Sequence, residues 1–352
     1  YTNRWSESLV KEMQAVYGGV DEYFAQKFED CGLKFKEIYI PPRNWWANSG
    51  ILCVTERPIN KPIWSDAWFN ESRLMITQAL TCCQCDDVEF IFNKRDGCYL
   101  RKDGLHPHEW IAPTPQVIDP SQLLPFLSMY QGSDYLDFPI PIPAHPPTYQ
   151  RMNWEKKLPV ALFRGTSTGA GTTPADNQRL NLATIEDPAL DAGIVGYSKR
   201  DKKLRGGAVR YDNPKELGAC VERVPSEFWP RYKYLIYCEG HSAALRLADM
   251  YFMDSTIIIA DTLNARCDKL WFTEKLKGNY YEGIQLEDDH VKVRADLSDL
   301  VDCIHHLIEN DSVAKKLAIN ARAFAENNLS YTSRVCACAE TLMVVANISK
   351  VK

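Results

Sequence analysis

Leu158-Pro159-Val160-Ala161-Leu162-Phe163 runs directly into Arg164-Gly165-Thr166-Ser167-Thr168-Gly169-Ala170-Gly171-Thr172-Thr173. A short apolar run of this kind reads as a buried strand, and the glycine- and hydroxyl-rich stretch after it as the loop leaving the strand's carboxyl end. Glycines let backbone N–H groups approach a phosphate, hydroxyls add donors, and an arginine adds a forked cation. The loop has two readings, a phosphate cradle or a flexible surface loop. It is not a Walker motif, because no Gly-Lys-Ser/Thr follows.

Two further places repeat the pattern of strand, turn and charged residue. Tyr234–Tyr237 leads into Glu239-Gly240-His241-Ser242-Ala243-Ala244-Leu245-Arg246. Ser242 reads as the cap of a helix over Ala243–Met253, whose free N–H groups would face an anion, with Arg246 one turn in. The alternative is a capped core helix with a solvated arginine. Val88-Glu89-Phe90-Ile91-Phe92 is a compact strand, and Asp96 stands in the polar turn after it. A carboxylate there faces the crevice where α/β folds bind ligands and can serve as a general base; the other reading is a turn aspartate bonded to its own backbone.

Working outward, further strands and helices alternate. Ile257–Ala260 reads as a strand, and Leu297–Glu309 and Val313–Asn327 as helices. Upstream, residues 1–40 read as helical, with Ser6 as a cap, residues 41–71 as loops with short strands such as Ile51–Thr55, and Leu74–Leu80 as one helix face. Between the two series, Asp137–Pro147 carries five prolines and reads as a stiff, extended linker. Strand–turn–helix alternation in two blocks predicts two α/β units, as does a length of 352 residues. The expected domains are 1–150, 151–335 and a helical segment over 336–352.

Composition excludes several classes. With 45% hydrophobic and 25% charged residues the chain is globular. A net charge of −5 argues against a nucleic-acid partner held by bulk positive charge. No apolar run approaches the ~18 residues of a membrane span. The first residue is Tyr, so a trimmed or processed product is expected, from which a signal or anchor could have been removed. Twelve cysteines and the sequons at Asn70, Asn328 and Asn347 lean towards a secretory lumen. His106-Pro107-His108 supplies two ligand types in a proline-containing loop, which do not make a metal site. His305-His306 reads as surface or core edge, Trp45, Trp46, Trp64 and Trp68 as packing or sugar-stacking residues, and Asp86-Asp87 and Asp288-Asp289 as solvated turns.

Four stretches together resemble glycosyltransferase family 90, which holds protein O-glucosyltransferases and capsule xylosyltransferases. They are Asp87–Asp96; Trp154-Glu155-Lys156-Lys157 followed by Ala161-Leu162-Phe163-Arg164-Gly165; Tyr232-Lys233-Tyr234-Leu235 followed by Glu239-Gly240 and Arg246; and Asp296–Leu300 with the helices after it. The resemblance covers roughly Cys85 to Asn328. Three places depart from it: Ala243-Ala244-Leu245 where Ser or an aromatic is usual, Met253-Asp254-Ser255 where Cys-Gly-Ser is usual, and Gly97-Cys98 after Asp96.

The resemblance implies an α/β chain of GT-B fold, two Rossmann-like domains facing a central cleft. It implies an inverting transfer of xylose or glucose from a UDP-sugar to a hydroxyl of a glycan or protein acceptor, with no metal and no cofactor beyond the UDP-sugar co-substrate. Asp96 falls on the family's catalytic base. Arg164, Gly165, Thr166, Gly240, His241, Ser242, Ala243, Ala244, Leu245 and Arg246 fall on UDP-sugar ligands, with Arg164 and Arg246 stabilising the departing UDP. Pro139, Ile140, His145 and Arg179 are expected at the substrate pocket. The family implies an ER or Golgi lumen; a viral enzyme in a host cytosol fits the same residues. The rival class is a silent relative that binds a glycan or client protein, which would not release UDP.

Overall fold

The computed structural model describes residues 43–48, 51–54, 66–82, 88–93, 97–98, 102, 125–143, 145–169, 171, 173–197, 202–204, 207–209, 220–262 and 269–350. Expectations for residues 1–40, Trp64, Asp86-Asp87, Asp96 and His106–His108 lie outside them. Two compact units form: residues 1–144 with 331–352, and residues 145–330.

In chain order the elements used below are β1 (Arg43–Asn48), β2 (Ile51–Val54), α1 (Asp66–Cys82), β3 (Val88–Asn93), β4 (Phe126–Ser128), β5 (Phe138–Pro139), β6 (Leu158–Thr166), α2 (Gln178–Leu182), β7 (Leu190–Gly196), β8 (Tyr232–Tyr237), α3 (Arg246–Met250), β9 (Thr256–Ala260), β10 (Gly278–Tyr280), β11 (His290–Val293), α4 (Leu300–Glu309), α5 (Asp311–Asn328) and α6 (Tyr331–Lys350).

The first unit carries a five-stranded sheet in the order β2-β1-β3-β4-β5. β1 pairs antiparallel with β2 and β3, whereas β3, β4 and β5 run parallel. Its core joins Met75, Ile76, Ala79 and Leu80 of α1 to Phe90, Phe92, Leu127 and Ile140, and to Val335, Cys338, Leu342 and Val345 of α6. The last helix of the chain therefore packs into the first unit. The Tyr331 hydroxyl donates to Gln78 Oε1 at 2.7 Å, and Thr341 Oγ1 to the Pro139 carbonyl at 2.9 Å.

The second unit is a six-stranded, all-parallel sheet in the order β10-β11-β9-β8-β6-β7. Parallel strands covered on both faces read as unbroken apolar runs rather than alternating ones. Ala161-Leu162-Phe163, Tyr234–Cys238 and Ile257-Ile258 are accordingly all buried. Helix α4 buries Leu300, Cys303, Ile304 and Leu307, an i, i+3, i+4, i+7 stripe, and α5 follows with Ala314, Leu317, Ala318, Ala321 and Ala325. Thr256 Oγ1 donates to the Ala314 carbonyl at 2.7 Å, tying β9 to α5.

Two sequence expectations are corrected here. Asp288-Asp289 is not a solvated turn: the two residues are 2% and 4% exposed. Asp289 accepts from the Tyr251 hydroxyl and the Lys277 N–H, at 2.9 Å each, and Asp288 from the Gln285 N–H at 2.8 Å. These donors replace water, which lets a pair of carboxylates go inside. The helix expected over Ala243–Met253 spans only Arg246–Met250, with Leu245 rather than Ser242 at its N-cap. The Ala244 N–H donates to Tyr237 Oη at 2.8 Å and Gly240 N–H to the Ser242 carbonyl at 3.0 Å, so side-chain and turn bonds replace the first helical turn.

Candidate functional site

Chain order and sheet order locate the site. From β6 the chain moves to β7 on one side, then crosses to β8 on the other. The carboxyl ends of β6 and β8 therefore flank a topological switch point, where open α/β sheets bind ligands. Arg164, Gly165 and Thr166 end β6, and the turn Glu239–Leu245 follows β8.

The strand end is itself irregular. Gly165 pairs with Ile194 but Thr166 with Gly196, a slip of one residue that turns the strand into its loop. That loop is latched rather than free. Asn177 is buried; its Oδ1 accepts from the Arg179 and Leu180 N–H groups at 3.1 Å, capping α2. Its Nδ2 donates to the carbonyls of Ser167 at 3.2 Å and Gly171 at 3.1 Å. Gly171 sits at φ +81°, and a Cβ there would come within 2.4 Å of Asp176, so only glycine fits.

Arg179 joins the two strand ends. It is 4% exposed and donates to the Cys238 carbonyl from Nε (3.2 Å) and Nη2 (2.9 Å), and from Nη1 to the Thr166 carbonyl (3.2 Å) and Thr168 Oγ1 (2.7 Å). Gly240 permits this approach, since a Cβ there would lie 3.0 Å from Thr168 Oγ1 and 3.3 Å from Arg179 Nη2. Burial, and then the nearby Arg246 cation, depress the Arg179 pKa to about 9.

Arg246 lies with its guanidinium carbon 5.3 Å from the Phe163 ring centre and 5.8 Å from that of Trp229. Nη1 donates to the Arg164 carbonyl at 2.5 Å. Nε and Nη2 are enclosed and have no acceptor among the described residues. Gly165 makes room for this packing: a Cβ would stand 2.8 Å from Phe163 and 3.2 Å from Arg246 Nη2. Burial lowers the Arg246 pKa. Neither Arg179 nor Arg246 forms an ion pair among the described residues. Two adjacent guanidinium groups that form no ion pair among the described residues, one with two donors unpaired among them, make this strand end a candidate site for an anion.

Arg164 is placed differently. Its Nη2 pairs with Asp191 Oδ1 at 2.6 Å, Nη1 donates to the Phe163 and Asp191 carbonyls at 2.9 Å, and Nε to the Glu222 carbonyl at 3.2 Å. The side chain thus pins β6 to β7, while its own carbonyl receives Arg246. His241 is exposed, Ser242, Ala244 and Leu245 are half-buried, and Ala243 is buried.

The remaining expected site residues fall elsewhere. Ile140 is fully buried in the first unit's core and its N–H donates to the Ser128 carbonyl at 2.8 Å; Pro139 is half-buried, and His145 is exposed at the start of the second unit. Asp96 is outside the described residues, but its neighbourhood in sequence is not. Asn93 Nδ2 donates to the Gly97 carbonyl at 2.8 Å and to Ser128 Oγ at 2.9 Å, and Ser128 in turn donates to Asp137. Asn93 and Lys157 lie inside the motif stretches but are given no role there; Asn177, Asp191 and Trp229 lie outside them. Only Asn177, an Asx residue just before a helix, carried a local signal for its part.

Asp254 accounts for one departure from the family pattern. It stands where Gly is usual and adopts φ +52°, a left-handed conformation that Asp tolerates better than most residues.

An α/β unit with two arginines beside its switch point has the frame on which nucleotide-binding proteins are commonly built. The comparisons make that class specific: the sequence pattern of Glycosyl transferase family 90 matches residues 147–352. The chain belongs to that family. It is 30% identical to Uncharacterized protein 035R of Invertebrate iridescent virus 3, over 95% of this chain and 32% of that protein. It is 26% identical to Protein O-glucosyltransferase 2 of Danio rerio, over 52% of this chain and 31% of that protein. It is 27% identical to Protein O-glucosyltransferase 3 of Homo sapiens, over 50% and 30%. The chain thus spans about a third of the length of these relatives. No helix among the described residues is long and apolar enough to cross a membrane.

Proposed function

We propose that this chain transfers a sugar from a UDP-sugar to a hydroxyl with inversion, in a single displacement. Asp96 takes the acceptor proton while the acceptor oxygen bonds to the anomeric carbon. The bond from that carbon to the phosphate oxygen breaks, and UDP departs with the electron pair. Arg246 meets the charge that develops on the departing diphosphate, its enclosed donors turning to the phosphate by rotation of the side chain's outer torsions. Arg179 adds a second positive charge and holds the ends of β6 and β8 in register. Arg164 acts through the carbonyl that receives Arg246. No metal enters this scheme. In this reading the first unit supplies the base and the second the leaving-group site.

The observation that carries the reading is Arg246: a half-buried cation beside a second, buried one, with two enclosed N–H groups that have no acceptor among the described residues. An unpaired enclosed donor costs about 1–3 kcal/mol, which an arriving anion relieves. The relatives named protein O-glucosyltransferase favour glucose as the sugar and a protein hydroxyl as the acceptor, with UDP-xylose the second donor to test. The two donors differ by one hydroxymethyl group, worth ~1–3 kcal/mol in a fitted pocket.

The test is UDP release across a panel of UDP-sugars, by the unaltered protein and by Asp96→Asn. Turnover of one donor, with the variant still binding UDP but turning over at least about a hundredfold more slowly, supports base and donor class together. A protein that binds no UDP and releases none returns the chain to a glycan- or client-binding role.

A further inference from the structure

Lys157 is among the buried charges that the mechanism leaves unused. Lys157, at the foot of β6, is 4% exposed. Its ammonium donates to the Pro230 carbonyl at 2.6 Å, the Met253 carbonyl at 3.0 Å and Ser255 Oγ at 3.0 Å. No carboxylate pairs with it among the described residues; three neutral acceptors take its three N–H groups. A buried ammonium is expensive to desolvate, and a methionine would fill the same volume without that cost. Its retention calls for a reason beyond packing.

The three acceptors show what it joins. Pro230 follows Trp229 in the short helical turn Ser226–Arg231, and the Trp229 ring forms one wall against Arg246. Met253 and Ser255 close the turn that leaves α3, whose first residue is Arg246. Ser255 Oγ also donates to the Tyr232 carbonyl at 2.7 Å, where β8 begins. One ammonium therefore fixes both the segment carrying the aromatic wall and the helix carrying the guanidinium. With five helical residues, α3 has little internal cooperativity of its own, so its position is set at its ends.

We infer that Lys157 is a positioning residue for Arg246, holding Trp229 and α3 together so that the guanidinium meets the departing diphosphate. This rests on the proposed transferase reading for its chemistry, but not for the contact between the two residues. Substituting Lys157 separates the two segments, loosens the slot between Phe163 and Trp229, and lets Arg246 sample orientations that do not serve the phosphate.

Two measurements test it on the full chain. The first needs no substrate: the rate at which phenylglyoxal modifies Arg246, followed by peptide mass spectrometry. In Lys157→Met that rate should rise about threefold to thirtyfold, within the range found for residues coupled through one network; an unchanged rate overturns the proposal. The second is calorimetric titration with UDP, and with pyrophosphate. Lys157→Met should weaken binding by a similar factor at unchanged stoichiometry, and the effect should vanish in an Arg246→Met background. A fall in stoichiometry at unchanged affinity marks a folding role and overturns the proposal, as does an effect that persists without Arg246. Should Lys157→Met fail to fold, Ser255→Ala removes one acceptor and keeps the lysine; a smaller change in the same direction upholds the proposal, and none overturns it. If the unaltered protein binds neither ligand, the transferase reading fails, and the modification rate alone decides between Lys157 and Arg246.

Discussion

Arg246 donates from Nη1 to the main-chain carbonyl of Arg164, 2.5 Å away. The two arginines that the motifs mark as a pair therefore act in sequence. Arg164 spends its guanidinium on Asp191 and on three carbonyls, and offers Arg246 an oxygen. Arg246 keeps two donors without acceptors among the described residues. The division follows from where each residue sits. Arg164 lies near the end of a strand whose neighbour β7 supplies Asp191, whereas Arg246 opens a short helix and reaches that strand with its side chain alone.

Arg246→Met separates function from stability. Donor turnover should fall about 10²–10³-fold, the usual effect of removing one transition-state cation or donor. Unfolding free energy should stay level or rise by ~1–2 kcal/mol, because an enclosed cation with unpaired donors is replaced by an apolar chain. UDP release and urea denaturation of the same preparation measure both. A large loss of stability would mean that Arg246 is held for packing instead.

Arg164→Met should behave in the opposite way. Its side chain is 11% exposed and every contact it makes is internal. Loss of these bonds should lower stability by about 1–3 kcal/mol in urea denaturation. Turnover per folded molecule should fall less than in Arg246→Met. Lost turnover at full stability would show that Arg164 leaves Asp191 to meet the leaving group itself.

The pH dependence of stability should carry a mark of Lys157. Burial depresses its pKa from 10.5 to about 8, with the Asp254 charge opposing in part. Between those values the unfolded chain binds the extra proton, so this group's contribution to stability rises with pH across that window, is complete above 10.5, and is lost as pH falls through 8. The relief should reach ~1–3 kcal/mol at most, less whatever the neutral amine forfeits with two donors for three acceptors. Unfolding free energies of the unaltered protein and Lys157→Met, taken at steps between these two values, should converge or cross in favour of the lysine as pH rises. A constant difference would mean that the ammonium stays charged throughout.

Asn93→Ala addresses the other unit. Asn93 is 2% exposed and its amide bonds both the Gly97 carbonyl and Ser128 Oγ. Removing it leaves those buried acceptors unpaired, at a cost of about 1–3 kcal/mol. Because Gly97 directly follows the proposed base, turnover should drop while UDP affinity, measured by titration, holds. Loss of UDP affinity would count against this division of labour between the units.

Much of this was legible before any coordinates. The strand Leu158–Phe163 and the strand before Glu239 announce themselves as unbroken apolar runs, because strands buried on both faces carry no alternation. The stripe of Leu300, Cys303, Ile304 and Leu307 shows as helical spacing. Arg164 and Arg246 stand out as charges close to turns that follow strands. Less visible was the helix start. Ser242 has the chemistry of a cap, but Tyr237, seven residues back along the chain from Ala244, takes the amide that the first helical turn would have used.

The sequence by itself determined the alternation of elements, the apolar faces that must pack, and the residue types gathered at the ends of two strands. Those are local properties of spacing and chemistry. Only the tertiary structure decided that β8 lies beside β6 on the side away from β7, and so that Gly165 and Gly240 open onto one place. Only there did Asp288 and Asp289 find donors enough to go inside, and α6 return to pack on α1 and β3. The same holds for the two arginines and for Lys157. Whether a guanidinium serves a neighbouring carboxylate or waits for an anion depends on partners tens of residues away. A charge's partner is a matter of three-dimensional distance, on which spacing along the chain is silent.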